Sequence, residues 1–104
     1  MLDNEFIVVT CGGGGIPVVK QEDGSYVGVP AVIDKDFASA KLAEDVEAEY
    51  LFILTAVDRV SINYGTDQQE DIARMSVAQA EQYIAEGHFA PGSMLPKVEA
   101  AVSF

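Results

Sequence analysis

Residues 6–10 read FIVVT, an apolar and β-branched run with no polar alternation. A strand with one wet face alternates in polarity. This one does not, so it asks for cover on both faces, the condition of a parallel sheet between helices. Residues 50–55, YLFILT, repeat the pattern. Between the two runs, Ala38, Leu42, Ala43 and Val46 recur at helical spacing, with Lys41, Glu44, Asp45 and Glu47 opposite. Strand, helix and strand make a βαβ unit with a right-handed crossover. The expected fold class is therefore α/β.

The remaining elements are decorations on that unit. Residues 18–20 and 26–29 flank Asp23-Gly24 and predict a β-hairpin flap. Residues 61–65 read as a short strand and turn, and the acid-rich stretch 66–75 as loop with a short helical piece. Ser76 with Gln79 is a capping box opening a helix with apolar Val77, Ala80, Ile84 and Ala85, which Gly87 ends. Ala90-Pro91-Gly92-Ser93 fixes a turn, Ser93 can cap a last helix, and Leu95, Val98, Ala101 and Val102 form its inner face.

A chain of 104 residues holds one domain, and no apolar run approaches the roughly 20 residues that span a bilayer. The acidic start, Met1 to Glu5, is unlike a secretory signal, and Cys11 as the single cysteine suits a reducing compartment; a cytoplasmic location is expected. A net charge of −11 repels nucleic acid and anionic membrane surfaces, so neither is an expected partner. Six cations remain, Lys20, Lys35, Lys41, Arg59, Arg74 and Lys97, and their positions are informative.

Three places carry candidate chemistry. The first strand runs into Cys11-Gly12-Gly13-Gly14-Gly15, a loop that can wrap an anion in backbone N–H groups or serve as a flexible connector. It lies where open α/β sheets place ligands, which favours binding. It is neither a Walker A loop nor a GxGxxG turn into a helix. Asp34-Lys35-Asp36 packs three charges before the first helix: an aspartate can cap, while the lysine can point at a phosphate. Lys97 stands in the first turn of the last helix, where a cation is disfavoured by the dipole but adds to an anion site. The second strand ends in Thr55-Ala56-Val57-Asp58, again at the sheet's carboxyl edge. His88 has no partner at metal-ligand spacing and reads as a loop residue; no metal site is expected.

Taken together, CGGGGIPV at 11–18, IDKDFA at 33–38 and FAPGSMLPKVEAA at 89–101 resemble the carbamate kinase family of the amino acid kinase superfamily. LTAVD at 54–58 and INYG at 62–65 are similar too. The resemblance implies a three-layer α/β/α sandwich that transfers phosphate between ATP and carbamate, often forming ATP from carbamoyl phosphate and ADP in arginine breakdown. It implies that Lys97 contacts the transferred phosphoryl group, Lys35 neutralises the same phosphates and Asp36 orients the lysines. Gly12, Gly13 and Gly14, with Thr55, Val57, Asp58, Tyr64 and Met94, would border the nucleotide, which Mg²⁺ would accompany. Phosphoryl transfer needs positioning and charge stabilisation more than a nucleophilic side chain, so this set is coherent.

Members of that family are about three times as long, in keeping with a larger sandwich. The resemblance covers their later, nucleotide-binding part, so residues 1–104 would be a partial domain, inactive alone. The family's N-terminal glycine loop and lysine, most of its carbamate pocket and its extreme C-terminus have no counterpart. A non-catalytic nucleotide-binding or folding module is the alternative, as is another superfamily member of acetylglutamate or uridylate kinase type. Bare strand edges would favour self-association or a homo-oligomer.

Overall fold

The computed structural model of the chain describes residues 4–104. Its elements are β1 (Val18–Lys20), β2 (Tyr26–Gly28), α1 (Lys35–Asp45), β3 (Val60–Ile62), β4 (Glu70–Ile72), α2 (Val77–Ala85) and α3 (Met94–Ser103). β1 pairs antiparallel with β2 in the register Val18 to Gly28, and Gly24 takes φ +85° in the turn between them. Asp23 Oδ1 accepts from the Ser25 amide at 2.9 Å and from the Ser25 hydroxyl at 2.6 Å, which closes this turn. The expected hairpin is therefore present.

The two apolar runs differ from expectation. Residues 6–10 and 50–55 have no regular secondary structure and join no ladder, and both described sheets are two-stranded. A strand exists only where a neighbour takes up its N–H and C=O groups. No parallel neighbour lies among the described residues, so much of both runs stays bare: Ile7 is 97% exposed and Leu54 91%, while Leu51 and Ile53 are half-buried toward Ala80 and Val98. The stretch 66–75 also departs from the expected helical piece. It supplies β4, paired antiparallel with β3 in the register Val60 to Ile72. Ser61 Oγ donates to Asp71 Oδ1 at 2.6 Å across that pair, and the turn uses positive φ at Asn63 and Gly65. The acids that suggested a solvated loop sit on the exposed side of a hairpin.

Asp34 caps α1, its Oδ1 accepting from the Asp36 amide at 2.7 Å. The buried residues of α1 are Asp36, Ala40 and Ala43, a stripe at helical spacing that starts on a carboxylate. Ala43 alone of the expected apolar set is buried; Val46 is exposed. α2 has the full capping box at Ser76, and Gly87 at φ +77° ends it. Ala80 is its buried residue and Val77 is exposed, contrary to the expected face. α3 packs against both α1 and α2. Its buried residues are Val98 and Ala100, with Leu95 and Val102 half-buried and Ala101 exposed. Ser93 is the N-cap by position, but its hydroxyl makes no capping bond.

The core is Ala80, Phe89 and Val98, bordered by Val60, Met75, Tyr83, Ile84, Met94, Leu95 and Val102. It is small. The accessible surface is 8217 Å², against about 5,700 Å² for a compact monomer of this mass. The radius of gyration is 16.7 Å, against about 13 Å. Exposed apolar side chains occur on the two runs and also on the β1–β2 hairpin and the segment leading to α1.

One glycine is sterically required. A Cβ on Gly14 would collide with the Ile33 carbonyl oxygen, and its φ is +148°. Gly13 faces open space. Gly14→Ala should therefore lower stability by about 1–3 kcal/mol in urea unfolding, while Gly13→Ala stays near wild type. Equal midpoints for the two variants would contradict the packing of the loop on the α1 N-terminus.

Candidate functional site

Lys97 and Lys35 lie 62 residues apart in sequence yet meet on one oxygen. Lys97 Nζ donates to Asp36 Oδ2 at 2.9 Å, and Lys35 Nζ to the same atom at 3.4 Å. The packing of α3 on α1 creates this cluster: Lys97 is on the first turns of α3, and Lys35 and Asp36 open α1. The Asp36 side chain is 10% exposed, that of Lys97 19% and that of Lys35 56%. Lys97 is thus an inner cation and Lys35 an outer one. Burial by itself pushes the Asp36 carboxyl up; the hydrogen bond and charge of Lys97, then the charge and hydrogen bond of Lys35, outweigh it and hold the group below its ordinary 3.8. Asp36 is accordingly a carboxylate at neutral pH.

Lys97 also reaches a cavity of about 260 Å³. Of the residues singled out in the sequence, Thr55, Val57, Tyr64 and Met94 line it as well. Asp58 borders an adjoining cavity that shares Val57 and Tyr64. Gly12, Gly13 and Gly14 line neither; Gly14 lies instead against Ile33, just before the cap of α1. Lys35 is likewise away from the cavity wall and joins the site through Asp36.

Ala56, Arg59, Ser61, His88, Phe89, Ala90 and Ser93 complete the wall and were not expected as site residues. Arg59 had a signal, being one of six cations and standing just beyond the Thr55 turn. His88, read as a loop residue, is tied down: Nδ1 accepts from the Asn63 amide at 3.4 Å and Nε2 lies 3.1 Å from Glu86 Oε2. Among the described residues no group of three or more His, Cys, Asp or Glu side chains could hold a metal ion. Asp36 Oδ2 already accepts from two ammonium groups. The residues present therefore do not make a protein-built magnesium site. What the arrangement can do is present cations to an anion at the end of a half-open apolar cavity.

The depressed Asp36 carboxyl gives a pH signature. A carboxyl whose folded pKa lies below its unfolded one stabilises above the unfolded value and ceases to do so as pH falls through the folded value. The unfolded value is near 3.8. Wild type should exceed Asp36→Asn in urea midpoint at about pH 7, and the difference should shrink as the pH drops below 3.8. A difference unchanged from neutral to acid pH would contradict the ion cluster.

Comparison with known proteins agrees with the resemblance. Carbamate kinase 1 of Enterococcus faecium is 58% identical over 104 residues, all of this chain and 33% of that protein. Carbamate kinase of Clostridium perfringens is 58% identical over 105 residues, with the same coverage. The chain thus spans about a third of the length of the curated relatives it matches. Among solved structures, a Giardia carbamate kinase superposes with a TM-score of 0.89 at 39% identity, over 99% of this chain and 35% of that one. Carbamate kinase from Giardia lamblia bound to AMP-PNP gives 0.81 at 41% identity, over 86% and 31%. The chain therefore has the α/β fold of these structures. The matches support membership and coverage, not the expected placement in the family's later part. The amino acid kinase family matches residues 1–104, the whole chain, and the chain belongs to that family.

Proposed function

We propose that this chain carries the nucleotide side of a carbamate kinase-type site, serving phosphate transfer between ATP and carbamate, with ATP formation from carbamoyl phosphate and ADP as the working direction. The observation that supports it most is the convergence of Lys97 and Lys35 on Asp36 beside the cavity of Thr55, Val57, Tyr64 and Met94. Relatives named carbamate kinase, and a relative's structure bound to AMP-PNP, point the same way.

In this reading Val57, Tyr64, Phe89 and Met94 take the apolar part of the nucleotide and Lys97 meets the phosphates at the α3 end. A bridging phosphoryl group gathers negative charge that fixed cations stabilise without moving. Asp36 keeps Lys97 aimed, because a lysine with four rotatable bonds is otherwise a mobile charge. Lys35, the more exposed cation, shares the phosphate charge, and the Gly12 to Gly14 backbone lies on the neighbouring loop. Asp58 borders the adjoining cavity. Mg²⁺ would come with the phosphates, and nothing in this chain's part depends on it. A role in arginine metabolism and a cytoplasmic location belong to the same proposal. No described helix is long and apolar enough to cross a membrane.

A second reading has its own support. The bare runs at 6–10 and 50–55 and the one-third coverage favour a nucleotide-binding or folding module, inactive by itself, that associates through those runs. Acetylglutamate or uridylate kinase specificity is the other alternative; it would share Lys97 and the Thr55 to Asp58 turn, whereas Asp34-Lys35-Asp36 favours the carbamate kinase type. Calorimetry with Mg-ADP on the chain, paired with an assay of ATP formation from carbamoyl phosphate, separates these. Binding without turnover is expected. Lys35→Met, exposed and so mild for folding, should weaken Mg-ADP about tenfold, the worth of one charged contact. Affinity within twofold of wild type would defeat the role of Lys35. Turnover by the isolated chain would defeat the module reading, and a clean monomer in light scattering would remove the association.

A further inference from the structure

His88 is a titratable cavity residue to which the phosphate-binding reading gives no task. Its ring lies where three parts of the chain meet. Behind it is α2, whose Tyr83 ring packs edge-on at 5.6 Å, and the residue that caps its C-terminus, Glu86, faces Nε2 at 3.1 Å. In front is the turn that follows β3, whose Asn63 amide points at Nδ1 from 3.4 Å. Beside it runs the segment through Phe89 and Ser93 into α3, which walls the same cavity. Since Nδ1 accepts, the proton of the neutral ring is on Nε2, where Glu86 can receive it. The Glu86 carboxyl is held below its usual range by Gln82 first and by His88 as well, so it remains an acceptor.

The turn has need of such a hold. Asn63 has φ +51°, a left-handed conformation that a side chain disfavours. Its other hydrogen bonds are internal to the hairpin: the Asn63 carbonyl accepts from the Thr66 amide at 3.1 Å and from Thr66 Oγ1 at 2.8 Å, and Asn63 Nδ2 donates to the Gln68 carbonyl at 3.3 Å. Among the described residues, the Asn63 to His88 bond is the one that ties this turn to the rest of the chain. Tyr64, next in sequence, lines both cavities yet is 69% exposed, so packing does not fix it.

We infer that His88 is a positioning residue for the nucleotide: by accepting the Asn63 N–H it fixes the turn that presents Tyr64 to the cavity. This rests on the nucleotide reading above.

The test compares two replacements of similar size. His88→Asn places an amide oxygen where Nδ1 stood, and His88→Leu places a methyl there; both lose the bond to Glu86. Two quantities are read on the full chain, Mg-ADP affinity by calorimetry and hydrogen exchange of the Asn63 amide by NMR. His88→Leu should bind about fivefold more weakly, as for one lost buried hydrogen bond, with a faster-exchanging Asn63 amide. His88→Asn should stay within about twofold and keep the amide protected. Equal affinity and equal exchange in the two variants would overturn the inference, whether both match wild type or both fall. An Asn63 amide unprotected in the wild type would overturn it even if His88→Leu failed to fold. Failure of the wild type to bind Mg-ADP strikes the nucleotide reading instead, and the exchange comparison then judges the Asn63 contact by itself.

Discussion

A buried carboxylate needs compensating charge, and here that need joins two helices far apart in the sequence. Asp36 sits on the packed face of α1 at 8% exposure, where an unpaired anion would be costly. Lys97 supplies the charge from α3, 61 residues away, at 2.9 Å. Such a pair adds little net stability, because desolvation of both groups offsets their attraction. What it gives is geometry: removing either partner strands the other, so the helices and the ammonium group are fixed together. Lys35 then joins the same oxygen from the solvent side. A positive site on a chain of net charge −11 is thus local, built by one acid that gathers two of the six cations.

The rest of the chain is less closed. Its buried apolar residues are mostly alanines, and among the described residues no large side chain is fully buried. Most side chains of the run at 6–10, and Tyr50, Phe52 and Leu54 of the run at 50–55, are exposed, while the superposition on a Giardia carbamate kinase extends over 99% of the chain at a TM-score of 0.89. The chain thus follows the path of part of that longer structure, while among the described residues these runs have no strand neighbour. The site's cavity is in the better-covered half, formed by β3, α2 and α3 around Phe89 and Val98.

Local rules written in a few residues were legible. The Asp23-Gly24 hairpin, the Asp34 cap, the Ser76 box and the Gly87 stop all follow from backbone chemistry confined to one turn. The lysines and the Thr55, Val57, Tyr64 and Met94 group were legible through composition and motif order, and they do come together on a cavity or on Asp36. What escaped depends on contacts between distant segments. β4 hides in an acidic stretch, because a strand of three residues is specified by its partner rather than by its own pattern. The buried stripe of α1 begins with Asp36, which periodicity counts as polar. His88 carries no motif, and its bonds to Asn63 and Glu86 exist only once α2 ends beside the β3 hairpin. The two parallel strands were expected from their composition, but composition states a demand for cover and cannot supply the partner.

The claim at the centre is that Asp36 aims Lys97 at the nucleotide's phosphates. A double-mutant cycle on Mg-ADP affinity tests it most directly, using Asp36→Asn, Lys97→Met and the double variant. If Asp36 acts through Lys97, losing Lys97 matters much less once Asp36 is gone, and the coupling should be about 1–3 kcal/mol. Losses that simply add, to within about 0.5 kcal/mol, would show two residues acting independently and would contradict the account.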